Sequence, residues 1–147
     1  MTTALAATEI TAKLEAASPG CIVESHGNTV VIKDEFLFKV ASFLKTTAGL
    51  DLNYLNYITA VDYTTHFEVV YHLVSIEHNY DIILKTRLID REKPTLASVV
   101  NLWKGADFQE REIYDLFGIS FTGHPNLKRI FLWEGFQGYP LRKDFKK

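Results

Sequence analysis

Cysteine is almost missing from this 147-residue chain. Cys21 stands alone, so there is no internal disulfide and no Cys-x-x-Cys pair to hold zinc or an iron–sulfur cluster. The expected compartment is reducing. Long apolar runs are also lacking: none approaches the ~20 residues that span a bilayer, and the start Met1–Ala7 has neither the basic residues nor the apolar core of a signal peptide. Membrane association is therefore expected to run through another protein, peripherally. The eight glycines form neither a phosphate-cradling loop nor a dinucleotide fingerprint, and no serine lies in a Gly-x-Ser-x-Gly turn. Binding of NADH, FMN or ATP by this chain is not expected. The five histidines show no His-x-x-x-His or His-Glu-x-x-His spacing, so no metal site is expected either. Nor is there an excess of one charge: 16 basic and 18 acidic side chains give a net charge of −2. That balance argues against a surface built to seek nucleic acid.

What the chain does have is one domain's worth of ordinary globular composition, 47% hydrophobic and 13% aromatic. The charge is unevenly placed. Residues 1–127 carry 10 basic and 16 acidic groups, whereas residues 128–147 carry 6 basic and 2 acidic, so a basic tail follows an acidic body. Periodicity predicts a short helix over Thr8–Ala17 with Ile10, Leu14 and Ala17 inward. A hairpin follows, Cys21–Ser25 and Thr29–Lys33, and then a helix capped by Asp34 with Phe36, Leu37, Val40, Phe43 and Leu44 as its apolar stripe. Tyr54–Asp62, Phe67–Ile76 and Asp81–Ile89 read as three longer strands whose short links favour an antiparallel meander. Leu96–Trp103 reads as a helix with Thr95 as cap. A second helix, Phe108–Phe117, lies behind Asp107 and is stopped by Gly118 in a left-handed conformation. Strands grouped in runs point to an α+β two-layer sandwich, a largely antiparallel or mixed sheet with helices on one face. The expected division is an α+β domain over 1–118 and an extended, irregular docking tail over 119–147. The tail alternates turn clusters with bulky groups such as Phe121, Ile130, Phe131, Trp133, Phe136 and Phe145. Such a segment needs a larger surface to order against, either its own body or, in preference, another subunit.

The densest charged cluster is Asp107 to Asp115. At about 100° per residue Asp107, Arg111 and Asp115 share a helix face, which predicts a guanidinium with carboxylates one turn on either side. Glu110 lies near the stripe of Ile113, Tyr114 and Phe117, so its carboxylate should be partly buried and in need of a cationic or hydrogen-bonding partner. A general acid/base pair and an ion network are both open to such carboxylates; the enclosing cleft that glycosidase-like chemistry needs is not visible in one helix segment. The cations and aromatics of the tail could line a single-stranded nucleic-acid groove or lie along an acidic protein groove.

The stretch Glu110-Arg111-Glu112-Ile113-Tyr114-Asp115-Leu116-Phe117-Gly118, continued by Phe121-Thr122-Gly123-His124-Pro125-Asn126-Leu127-Lys128-Arg129-Ile130, resembles the signature of the C-subunit of respiratory complex I, a small subunit of its hydrophilic arm. Gly138-Tyr139-Pro140-Leu141-Arg142-Lys143-Asp144-Phe145 resembles that family's closing motif, and Ile58–Tyr63 agrees more weakly. Two positions depart: Tyr139 stands where the family often has His, and Phe131 where an aliphatic residue is more usual. The resemblance implies a non-catalytic structural subunit in the peripheral arm of a proton-translocating NADH (or related donor):quinone oxidoreductase, on the cytoplasmic face of the membrane. The related subunit of a membrane-bound hydrogenase is the alternative, ahead of a free-standing carboxylate hydrolase or a nucleic-acid binder. It further implies no cofactor in this chain, with iron–sulfur clusters, FMN and quinone in partner subunits. The chief partners would be the hydrogenase-large-subunit-like quinone-site subunit and small cluster-bearing subunits. Glu110, Arg111, Glu112, Asp115, Gly118, Gly123, His124, Pro125, Arg129, Pro140, Arg142, Lys143 and Asp144 would then serve the subunit interface, with no catalytic or metal-binding residue.

Overall fold

In a computed structural model, which describes residues 3–4, 7–133 and 135–145, eight strands and three α-helices follow one another. A two-residue strand β1 (Thr3–Ala4) precedes α1 (Ala7–Ala17), the hairpin β2 (Ile22–His26) and β3 (Thr29–Ile32), and α2 (Leu37–Thr46). Three nine-residue strands come next, β4 (Tyr54–Asp62), β5 (Phe67–Ser75) and β6 (Tyr80–Leu88). The short β7 (Thr95–Ala97), α3 (Ala106–Phe117) and β8 (Ser120–Thr122) complete the body.

The main sheet runs β2-β3-β6-β5-β4, with β1 also on β6. The meander β4-β5-β6 is antiparallel as expected, in a register that opposes Ile58 to Tyr71 and Tyr71 to Leu84, while β3 joins β6 in parallel through Val30↔Leu84. The sheet is therefore mixed. Alternation along β5 and β6 sends Phe67, Val69, Tyr71, Leu73, Ile82, Leu84 and Leu88 to one face. There they pack with Ile10 and Leu14 of α1, with Leu37, Val40, Ala41 and Leu44 of α2, and with Ile113 and Phe117 of α3. The opposite face carries ion pairs such as Lys85–Glu68, Arg87–Glu68 and His72–Asp81. The two-layer α+β architecture is as the pattern predicts.

Four local expectations are corrected. Ala17 is exposed and the next residue, Ser18, is buried in its stead. Asp34 does not cap α2; it opens a 3-10 turn, Asp34–Phe36, that feeds the helix. α3 begins at Ala106 behind Gly105, which leaves Asp107 in the first turn. Leu96–Trp103 is no helix. Leu96, Val99 and Trp103 do face the core, which is why their spacing looks helical, but β7 pairs in parallel with β8 and the Ser98 amide bonds the Thr122 carbonyl at 2.8 Å. Strand pairing and a buried carboxylate, described next, supply the partners that a helix would have supplied. Ile119 and Phe121 are buried in the core.

Candidate functional site: α3 and the tail it holds

α3 is amphipathic, with Ala106, Ile113 and Phe117 buried, and it ends at Gly118, whose φ of 77° places it in the left-handed region as predicted. A Cβ there would stand 2.6 Å from the Tyr139 ring and 2.9 Å from an Arg142 nitrogen, so glycine is required by space as well as by φ. Gln109, one helical turn in, accepts a hydrogen bond from the Ile58 amide at 2.5 Å. That contact covers an outward N–H of the edge strand β4.

Each buried carboxylate of α3 holds a different stretch of chain. Glu110 is fully buried and accepts from the Ser98 hydroxyl at 2.6 Å and from the Val99 amide at 2.9 Å. Burial pushes its carboxyl above the usual carboxylate range, against the pull of those two bonds. Asp115, also fully buried, accepts with one oxygen from three consecutive amides, Ile130 at 3.0 Å, Phe131 at 2.7 Å and Leu132 at 3.1 Å. Its other oxygen lies 3.0 Å from Arg129 Nε. Successive amides converging on one oxygen form a nest, which binds anions well in a dry setting. Asp107 pairs with the buried His124 ring, 3.0 Å from Nε2. Because His124 Nδ1 accepts the Asn126 amide at 2.9 Å, the ring proton sits on Nε2, which donates to the Asp107 carbonyl at 3.3 Å.

The predicted Asp107–Arg111–Asp115 ladder is therefore not formed. The two carboxylates turn to His124 and Arg129, and Arg111 instead donates to the Lys128 carbonyl at 3.1 Å and lies over the Phe108 ring. Spacing on a helix reports which side chains can meet, and buried tertiary partners outweigh an exposed neighbour. Glu112 has no hydrogen-bond or ion-pair partner among the described residues.

The tail is seated on its own body. Arg129 donates to the carbonyls of Phe136 (2.6 Å), Gly138 (2.6 Å) and Asp115 (3.2 Å). Leu141 N–H bonds Leu116 O at 3.0 Å, and Arg142 Nε bonds Phe117 O at 2.6 Å, so the tail takes up carbonyls freed at the α3 C-terminus. Pro140 follows the first residue of a turn closed from Arg142 N–H to Tyr139 O at 3.1 Å. Gly123 (φ 87°) sits in the turn that brings His124 back and Pro125 follows it. The Lys143 amide donates to Asp62 at 2.9 Å. Asp144 is exposed and lies 3.9 Å from Arg91, and no described residue bonds the Lys143 ammonium. Lys146 and Lys147 lie outside the described residues. A row of alternating guanidinium and ring runs through these contacts. Arg91 and Arg142 lie over Phe67 (4.5 and 5.0 Å), Arg142 and Arg129 over Tyr139 (5.0 and 4.9 Å), and Arg129 over Phe136 (5.5 Å). Tyr139, the departure from the family pattern, thus presents a neutral ring to two cations.

Two residues of this arrangement, Asp62 and Arg91, were not singled out from sequence. Asp62 is buried at the end of β4, takes Arg91 bidentately at 2.5 and 3.0 Å, and accepts the amides of Thr64 and Lys143. The Arg91 guanidinium holds its carboxyl well below the usual range. The only sequence signal was the weak likeness over Ile58–Tyr63. Four large apolar side chains of the assembled surface face outward: Phe108 is 60% exposed, Phe131 61%, Trp133 68% and Leu141 52%. A cleft of about 570 Å³ beside them is lined by Tyr114, Lys128, Arg129, Phe136 and Tyr139 among others.

Residues 30–147 match the family described as respiratory-chain NADH dehydrogenase, 30 kDa subunit. The NADH-quinone oxidoreductase C-subunit of Roseiflexus sp. (strain RS-1) is 42% identical over 139 residues, which is 90% of this chain and 79% of that protein. The NADH-quinone oxidoreductase C-subunit 2 of Rhizobium etli (strain CIAT 652) is 42% identical over 82% of this chain, which spans 66% of that protein. The mitochondrial NADH-ubiquinone oxidoreductase 30.4 kDa subunit of Neurospora crassa is 47% identical over 80% of this chain, which spans 42% of that protein. A chain of the membrane-bound sulfane sulfur reductase, an archaeal respiratory membrane complex, shares the fold with a TM-score of 0.76 over 95% of this chain and 85% of its own, at 24% identity.

Proposed function

The chain belongs to the respiratory-chain NADH dehydrogenase 30 kDa subunit family, and from that premise we propose that it is a non-catalytic structural subunit of the peripheral arm of a proton-translocating NADH:quinone oxidoreductase. Its task is to present a preformed surface on which neighbouring subunits assemble. One observation carries this reading. The signature carboxylates Glu110 and Asp115 are fully buried and committed to holding residues 98–99 and 130–132, while Phe131 and Trp133, beside the Asp115 nest, stand outward with more than half their surface free. Carboxylates buried and engaged this way, Glu110 by the Ser98 hydroxyl and the Val99 amide and Asp115 by three amides and Arg129, hold chain segments in place, and exposed aromatic side chains on a pinned backbone are what an interface core uses.

The partners on this reading are the quinone-site subunit related to the hydrogenase large subunit and the small cluster-bearing subunits, which would hold the iron–sulfur clusters, FMN and quinone. The chain would sit on the cytoplasmic face of the membrane through them. Among the described residues no helix is long and apolar enough to cross a membrane. The fold is shared with a chain of a membrane-bound sulfane sulfur reductase, and the named sequence relatives favour the NADH:quinone enzyme over the alternative of a membrane-bound hydrogenase subunit. The test is affinity purification of the tagged full chain from solubilised membranes of its host. Recovery of iron–sulfur and membrane subunits with NADH:quinone activity supports the proposal, and recovery of the chain alone refutes it.

A further inference from the structure

Away from α3 and the tail, the loop after α2 meets the β5–β6 turn. Asp51 comes from the loop, Glu77 and His78 from the turn. His78 Nε2 lies 2.8 Å from Asp51 Oδ2, and one ligand atom from each of the three residues lies within 4.8 Å of the other two. Contacts that use none of the three ligand atoms bring the segments together. The Tyr80 hydroxyl donates to the carbonyls of Gly49 and Leu50, and the Tyr80 ring stacks on the His78 imidazole at 5.5 Å, fixing its plane. The His78 amide donates to the Ser75 hydroxyl at 3.2 Å, which sets the turn.

An imidazole nitrogen and two carboxylates are the donor types a borderline divalent cation takes: Ca²⁺ and Mg²⁺ prefer all-oxygen shells, whereas Zn²⁺ and Co²⁺ accept mixed nitrogen and oxygen donors. Ligand atoms within 4.8 Å of one another would have to shift on binding to the ~3.4 Å spacing of a tetrahedral shell. Two carboxylates balance the ion's charge. Asp51 is half-exposed, with Glu77 and His78 more so, which leaves water free to complete the coordination. The body that carries them holds 16 acidic against 10 basic groups over residues 1–127, a field that favours cations.

We propose that Asp51, Glu77 and His78 form a binding site for a divalent transition-metal ion that clips the α2–β4 loop to the β5–β6 turn. This inference stands apart from the subunit reading and concerns the isolated chain.

The experiment is Zn²⁺ titration of the purified full chain by calorimetry, with Co²⁺ absorption to identify mixed nitrogen and oxygen ligation. The wild-type chain is expected to bind one equivalent saturably, and a hundredfold excess over Kd to raise the melting temperature by about 9 °C. His78→Ala is expected to lose both effects. Glu77→Gln, whose carboxylate makes no hydrogen bond or ion pair to a described residue, keeps the metal-free fold and is expected to bind at least tenfold more weakly. Absence of saturable uptake overturns the proposal. So does uptake by either variant equal to the wild type, which would place the ion on His26, His66, His72 or His124.

Discussion

Replacing Asp115 with Ala should free the tail from the body without unfolding the sheet. The wild-type carboxylate satisfies three amides and neutralises Arg129 in a site with no exposure. Removing one partner of a buried, hydrogen-bonded ion pair costs about 3–5 kcal/mol, because the other partner keeps its desolvation penalty without compensation. Here that cost falls on a local opening, since the tail's remaining attachments through Leu141, Arg142 and Lys143 lie further along the chain. At about 1.4 kcal/mol per factor of ten, amide exchange at Ile130, Phe131 and Leu132 should accelerate on the order of 10²–10³-fold. Amides of β5 and β6 should change far less. Asp115→Asn keeps an acceptor oxygen and loses the charge, so it should fall between wild type and Asp115→Ala. Unchanged protection of residues 130–132 in Asp115→Ala, measured by hydrogen exchange on the full chain, would refute the nest as the tail's anchor.

Three further outcomes follow from the same geometry. Asp62, held ionised by Arg91, has a folded pKa below its unfolded value, so its contribution is complete above about pH 4 and is lost as pH falls through the folded value; melting temperature against pH should be flatter on the acid side in Asp62→Asn. Glu110 has the opposite sign: burial raises its folded pKa, the native state binds the extra proton, and stability should fall as pH rises from about 4.3 through the folded value. Glu110→Gln should lack that falling component above about pH 4.3, and an identical pH slope in the two proteins would contradict it. Gly118→Ala combines a left-handed backbone with a Cβ 2.6 Å from Tyr139, so it should destabilise by more than about 1 kcal/mol, read as a lower melting midpoint with faster exchange at Leu141 and Arg142.

How much of this was legible in the sequence follows from the range of the forces involved. The hairpin around Gly27-Asn28, the three long strands and the two longer helices rest on period and turn chemistry within a few residues, and they stand as predicted apart from a residue or two at their ends. Leu96–Trp103 misled because its inward spacing is real while its partners, Glu110 for Val99 and Thr122 for Ser98, are 11 and 24 positions away. The same blindness applies at the site. That Glu110 needs a buried partner was readable from its place beside the apolar stripe, but that the partner is the 98–99 backbone was not. Asp115 looked like a mate for Arg111 on the same helix face and instead gathers residues 129–132. The tail is expected to order against its own body or, in preference, another subunit; Arg129, Arg142 and Lys143 bond Asp115, Phe117 and Asp62 of its own body.

In the proposed subunit role the tail is held in place from within so that its outward aromatics can join a neighbour. A tagged full chain carrying Phe131→Asp and Trp133→Asp, recovered from solubilised membranes beside the tagged wild type, tests this most directly. Both side chains are more than 60% exposed, so the fold and the protection of the 130–132 amides should be retained. The wild type should bring down iron–sulfur and membrane subunits, and the double variant should come down without them. Equal recovery of those subunits by the two proteins would contradict it.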